Sequence, residues 1–125
     1  MIYPDSFYSY RYDPEFVKEM TTLLISNLTD LSKSLNEAII KNEPNLFIQQ
    51  LTFSQFALVL VSNEDLSLTT YQIKKGMTEN SSIEESFHLV APFKKLCSYE
   101  INRLNQKLSH FEKFSRFKVL PKRVS

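Results

Sequence analysis

The 125-residue sequence predicts an all-α protein, an antiparallel up-down four-helix bundle preceded by an aromatic-rich lead-in. Three observations carry this. Gly76 is the only glycine, whereas sheet proteins spend several on turns and bulges. Apolar residues recur at steps of three and four over long stretches. Cap residues followed by proline punctuate those stretches at short intervals. Hydrophobic content of 42% with 23% charged residues describes a globular chain able to bury a core of its own.

Residues 1–12 hold Tyr3, Phe7, Tyr8, Tyr10 and Tyr12 and read as a lead-in segment that covers one end of the bundle by aromatic packing. The bundle domain spans residues 13–115. Asp13 is a good N-cap, Pro14 suits the first helical position, and Glu15 complements the dipole. Val17, Met20, Leu24, Leu28, Leu31, Leu35 and Ala38 then form one buried stripe. Asn42 closes this helix or caps the next.

The second helix opens at Asn42-Glu43-Pro44 and runs through Leu46, Phe47, Leu51, Ala57, Leu58 and Val61. Its second half is apolar nearly all round, as in a central helix or one that presents apolar surface to something else. Ser62-Asn63 breaks it. A shorter helix follows from Asp65 to about Met77, with weak periodicity and indifferent helix formers at Ser67, Thr69 and Thr70.

Asn80-Ser81-Ser82 is the next turn, and Ser81 with Glu84 or Ser82 with Glu85 makes a capping box. The last helix is expected to bury Ile83, Phe87, Val90, Cys97, Ile101, Leu104, Leu108 and Phe111, with Lys94 at the one skipped step and a kink at Pro92. Residues 116–125 read as a short basic tail. From Lys113 onward the cations Lys113, Arg116, Lys118, Lys122 and Arg123 meet no acid, and the plain reading is a solvated or frayed terminus.

The exclusions are broad. A net charge of +1 gives no general footprint for nucleic acid. The longest aliphatic and aromatic run, Phe56–Val61, is too short to span a bilayer, so neither nucleic acid nor membrane is expected as a partner. The start of the chain has no basic region followed by an apolar run, and the cytoplasm is the expected compartment. Asn27-Leu-Thr and Asn80-Ser-Ser match a glycosylation acceptor, which matters only in a secreted protein. Cys97, the only cysteine, permits no intrachain disulfide and reads as a small core hydrophobe. His88 and His110 are too few and too far apart for a metal cluster. With no glycine-rich phosphate loop and no nameable nucleophile and base, neither a cofactor nor a catalytic residue is expected.

Placed on these helices, the chain resembles the histidine phosphotransfer (Hpt) domains of two-component signalling. Asp13-Pro14-Glu15-Phe16 is similar to the helix start of that family, Leu23-Leu24, Leu28 and Leu31 follow its first-helix pattern, and Asn42 stands at its hairpin turn. The resemblance covers residues 13–112. It puts Thr52 where the family has its phosphorylatable histidine, Gln55 at the lysine three residues on, and Phe56 at the following glycine. Threonine is a poor nucleophile without a base, glutamine brings no positive charge to a phosphoryl group, and phenylalanine fills space the family keeps open. His110, with Lys113 three residues on, repeats the family's offset but lies on the last helix and reads as a solvated flank residue.

The resemblance therefore implies a non-catalytic, Hpt-like signalling adaptor that binds a receiver or histidine-kinase domain without accepting phosphate. The expected partner-binding face of the second helix is Ile48, Thr52, Gln55, Phe56 and Val59, which share one side at three-and-four spacing opposite Leu51 and Leu58. The alternative is a structural or assembly protein in which the same face forms a homodimer. A third reading, an enzyme using Thr52 or His110, has the least support, since neither has a visible base or oxyanion partner.

Overall fold

The computed structural model describes the backbone of residues 14–80 and 83–124, with side chains described for 14–79 and 83–110. It is helical throughout, with no strand among the described residues. The helices are α1 (Pro14–Lys41), α2 (Pro44–Val61), α3 (Glu64–Asn80) and α4 (Phe87–Val124), the last preceded by a 3₁₀ turn at Glu84–Ser86. The expected lead-in at 1–12, the Asp13 cap and the capping box at Ser81 or Ser82 lie outside the described residues.

Helix α1 buries Val17, Thr21, Leu24, Leu28, Leu31, Leu35 and Ala38, the expected stripe with Thr21 in place of Met20. Thr21 can sit there because its hydroxyl donates to the Val17 carbonyl at 2.8 Å, which satisfies the polar atom within the helix. Asn42 adopts a left-handed conformation at φ 55°. Its N–H donates to the Ile39 carbonyl at 3.3 Å, and the Glu43 N–H reaches the Ala38 carbonyl at 2.9 Å. That pair is a Schellman motif, so Asn42 closes α1; Glu43 holds the N-cap of α2 without a side-chain cap bond.

At the other end of α2, Ser62 is left-handed at φ 56° and its N–H donates to the Leu58 carbonyl at 3.3 Å. Asn63 then caps α3, its Oδ1 accepting the Leu66 N–H at 3.0 Å. The cap explains why α3 starts at Glu64 and holds together despite its weak periodicity. Leu66, Thr70, Ile73 and Met77 are its buried side.

Helix α4 corrects the sequence expectation by rotating its buried stripe. Ile83, Ser86, Phe93, Cys97, Glu100 and Leu104 are buried, whereas Phe87 is half-exposed and Val90, Ile101 and Leu108 are only half-buried. The physical reason is Phe93. Its ring meets that of Phe47 edge-on at 5.7 Å in the centre of the core, and this pair fixes the helix's rotation. The helix passes through Pro92 and its backbone stays helical to Val124.

Helix α1 packs extensively against both α2 and α4, while α3 packs against α4 and the 3₁₀ turn and more lightly against α2. One core cluster unites all four helices through Leu24, Phe47, Leu66 and Phe93, among others. No helix among the described residues is long and apolar enough to cross a membrane.

Candidate functional site

Helix α2 contains no charged residue from Pro44 to Val61. Its core side is Phe47, Leu51, Ser54, Ala57, Leu58 and Val61. At about 100° per residue, the direction opposite that side falls on Phe56 and Thr52. The structure brings four of the five expected site residues together in solvent: Thr52, Gln55, Phe56 and Val59 are exposed along this face. Ile48 is less open than the other four. It lies at the edge of the face, half-buried, and packs against the core.

Phe53, which the three-and-four spacing passes over, is 76% exposed, against 57% for Phe56 and 69% for Val59. With roughly 200 Å² for a whole phenylalanine surface, the two rings alone leave about 270 Å² in water. With Val59 added, the patch reaches the range of the largest apolar patch on a typical single chain, about 300–600 Å² and often functional. The sequence signal that could have found Phe53 is the missing charge. With no charge anywhere on α2, its exposed positions hold either apolar residues, Phe53, Phe56 and Val59, or neutral polar ones, Asn45, Gln49, Thr52 and Gln55.

Two shallow grooves border the ridge. One, of about 330 Å³ and lined by Asp30, Lys33 and Glu37 of α1 with Leu46, Gln49 and Phe53 of α2, is edged by charge. The other, of about 190 Å³, places Gln55 and Val59 of α2 beside Ser67, Tyr71 and Lys74 of α3. Beneath the ridge, Gln50 Nε2 donates to Ser54 Oγ at 3.2 Å, and the Ser54 hydroxyl donates to the Asn27 carbonyl of α1 at 3.4 Å.

The chemistry at Thr52 is limited. Its hydroxyl donates to the Ile48 carbonyl of its own helix at 3.2 Å and points no proton at a base. His110 and His88 are both exposed on α4. Cys97 is buried, and burial, aided by the negative charge of Glu100, pushes its thiol up from 9.0 to about 12, so it stays protonated and inert at neutral pH. Among the described residues no three His, Cys, Asp or Glu side chains stand close enough to hold a metal.

One polar cluster lies inside the bundle. The Glu100 carboxylate is 1% exposed and accepts the Asn63 amide at 2.6 Å and Arg103 at 3.3 Å. Asn63 thereby does two things, capping α3 and tying the α2–α3 turn to α4. Sequence reasoning missed both Glu100 and its role, because an acid inside an apolar repeat looks like a break in the stripe.

Fold and surface together define a helical bundle-like protein whose most distinctive feature is one uncharged helix with an exposed apolar ridge. No family model, curated protein or solved structure matches the chain.

Proposed function

We propose that this protein is a protein-interaction module that docks a partner through the outward face of α2. The observation that carries the reading is the ridge of Phe53, Phe56 and Val59 on a helix without a single charge. Interface centres are depleted in charge and enriched in aromatic residues, which is the composition found here. The ridge lies on a regular helix packed on the core through Phe47, Leu51 and Leu58, so its backbone is already ordered before binding.

The finer form of the reading is a non-catalytic, Hpt-like adaptor in an antiparallel up-down bundle that binds a receiver or histidine-kinase domain without accepting phosphate. The two-residue connection between α1 and α2 supports the alternation of helix direction. The self-contained hydroxyl of Thr52 supports binding without phosphate transfer. The test is a titration of receiver domains from the source organism against the full chain, paired with Phe56→Asp. Micromolar or tighter binding lost in the variant supports the adaptor, and no binding by any receiver removes it.

A second reading, a homodimer through the same ridge, draws on the neutrality of α2, since a two-fold contact sets like against like. Sedimentation that stays monomeric at all concentrations removes this reading.

A further inference from the structure

The charge of the chain is divided unevenly along its length. Residues 1–112 hold ten Lys and Arg against all fourteen Asp and Glu, a net of −4. Residues 113–125 hold Lys113, Arg116, Lys118, Lys122 and Arg123 and no acid, a net of +5. From the sequence alone this stretch reads as a solvated tail. The structure continues the backbone of α4 through it, helical to Val124. The five cations therefore lie on one helical segment that rises only about 18 Å.

The same segment carries Phe114, Phe117, Val119, Leu120 and Val124. At about 100° per residue, Lys113, Arg116 and Arg123 fall within about 80° of one another in register. Phe114, Phe117 and Val124 occupy a neighbouring arc of similar width, with Lys118 and Lys122 beyond its other edge and Val119 and Leu120 falling among the cations. An arc of two phenylalanines and a valine flanked on both sides by cations is the composition of helices that lie in a bilayer's headgroup region.

We propose that residues 113–124 of α4 are a membrane-surface helix that binds anionic lipid headgroups. Its apolar arc enters the boundary between headgroups and acyl chains, while the net-negative remainder of the protein is held off the surface. Charge complementarity points to an anionic leaflet, where each Lys or Arg adds roughly five-fold to partitioning. The apolar residues choose between polyanions. Duplex nucleic acid offers them nothing, and single strands would stack only on Phe114 and Phe117 while Val119, Leu120 and Val124 gained little. The inference does not depend on the role of α2, which lies on a different helix.

The experiment is co-sedimentation of the full chain with vesicles of phosphatidylcholine alone or with roughly one-third phosphatidylserine. The expected result is binding to the anionic vesicles only, falling steeply as salt shortens the screening length. The triple variant Arg116→Gln/Lys118→Gln/Lys122→Gln is expected to bind them roughly a hundred-fold more weakly, with Phe56→Asp binding as the parent does. Should the triple variant lose its cooperative melting, the salt dependence of the unaltered chain decides. Equal binding to neutral vesicles, binding to neither, or an unchanged triple variant overturns the proposal. Tighter binding to a single-stranded oligonucleotide than to the anionic vesicles at equal salt overturns it in favour of nucleic acid.

Discussion

Gly76 sits within α3, and substituting it sets two known effects against each other. Its φ is not positive, so the helix does not need glycine for its conformation. In an open helix, Gly76→Ala would gain about 1 kcal/mol of helix propensity. Here a Cβ built on Gly76 would stand 2.7 Å from the Ser86 hydroxyl oxygen, well inside ordinary van der Waals contact. Ser86 is 1% exposed and closes the 3₁₀ turn, its N–H held by the Ile83 carbonyl at 2.9 Å. Relief requires turning a buried hydroxyl or moving α3 away from that turn, and overpacking of this kind costs about 1–3 kcal/mol. The expected net is a loss of about 1 kcal/mol, a fall in Tm of roughly 3–5 °C for a domain of this size. Urea unfolding followed by far-ultraviolet circular dichroism measures it. In a Ser86→Ala background the same substitution should recover its propensity gain, a coupling of about 1–3 kcal/mol in a double-mutant cycle. A single Gly76→Ala variant more stable than the parent by about 1 kcal/mol would refute the close packing of α3 on the 3₁₀ turn.

Other consequences follow from the same contacts. Phe56, 57% exposed, keeps roughly 85 Å² from water, so Phe56→Asp should cost up to about 2 kcal/mol at about 25 cal/mol per Å². Thr52→Ala, in the middle of the proposed docking face, should weaken partner binding less than Phe56→Asp does; urea melts and partner titrations check the two. Asn63→Ala removes both the α3 cap and a hydrogen bond to a buried carboxylate, so a loss of about 2–4 kcal/mol is expected in denaturant unfolding. Cys97 should react with thiol reagents only at the rate of unfolding. Since its folded pKa of about 12 lies above the ordinary 9.0, the stability it contributes is complete below about pH 9 and is lost as pH rises through about 12. Relative to Cys97→Ala, the parent should therefore lose up to about 1.4 kcal/mol per pH unit across that window.

The legible parts of the fold were those where one kind of signal acted alone. In α1, leucines at three-and-four spacing stand on the side that packs on both α2 and α4, and only the exchange of Met20 for Thr21 escaped. In α4, several apolar series run side by side, and periodicity cannot choose among them. The choice is made by a partner far away in sequence, the Phe47 ring against Phe93. Glu100 was hidden for the same reason: its place in the buried stripe depends on Asn63, 37 residues earlier. Turn geometry was half legible. Asparagine at position 42 announced a helix boundary, but whether it ended α1 or began α2 was decided by its left-handed backbone.

The exposed ridge of α2 carries a stability question that bears on its use. Pro44–Val61 lacks the charged face that keeps an ordinary surface helix solvated, and Phe53 and Phe56, 76% and 57% exposed, leave most of their surface in water. Folding alone would tolerate lysine at either position at modest cost, since its stem can cover the part of the ring now buried while its charge reaches water above a core closed by Phe47, Leu51 and Leu58. A charge there would also protect the chain from sticking to its neighbours. The apolar ridge is thus a cost to the isolated molecule, which the proposed docking would offset. If Phe53→Lys/Phe56→Lys proved as stable as the parent and more soluble, the ridge would be dispensable for folding, as that argument requires. A marked loss of stability would show instead that these rings belong to the core, and would remove the docking face.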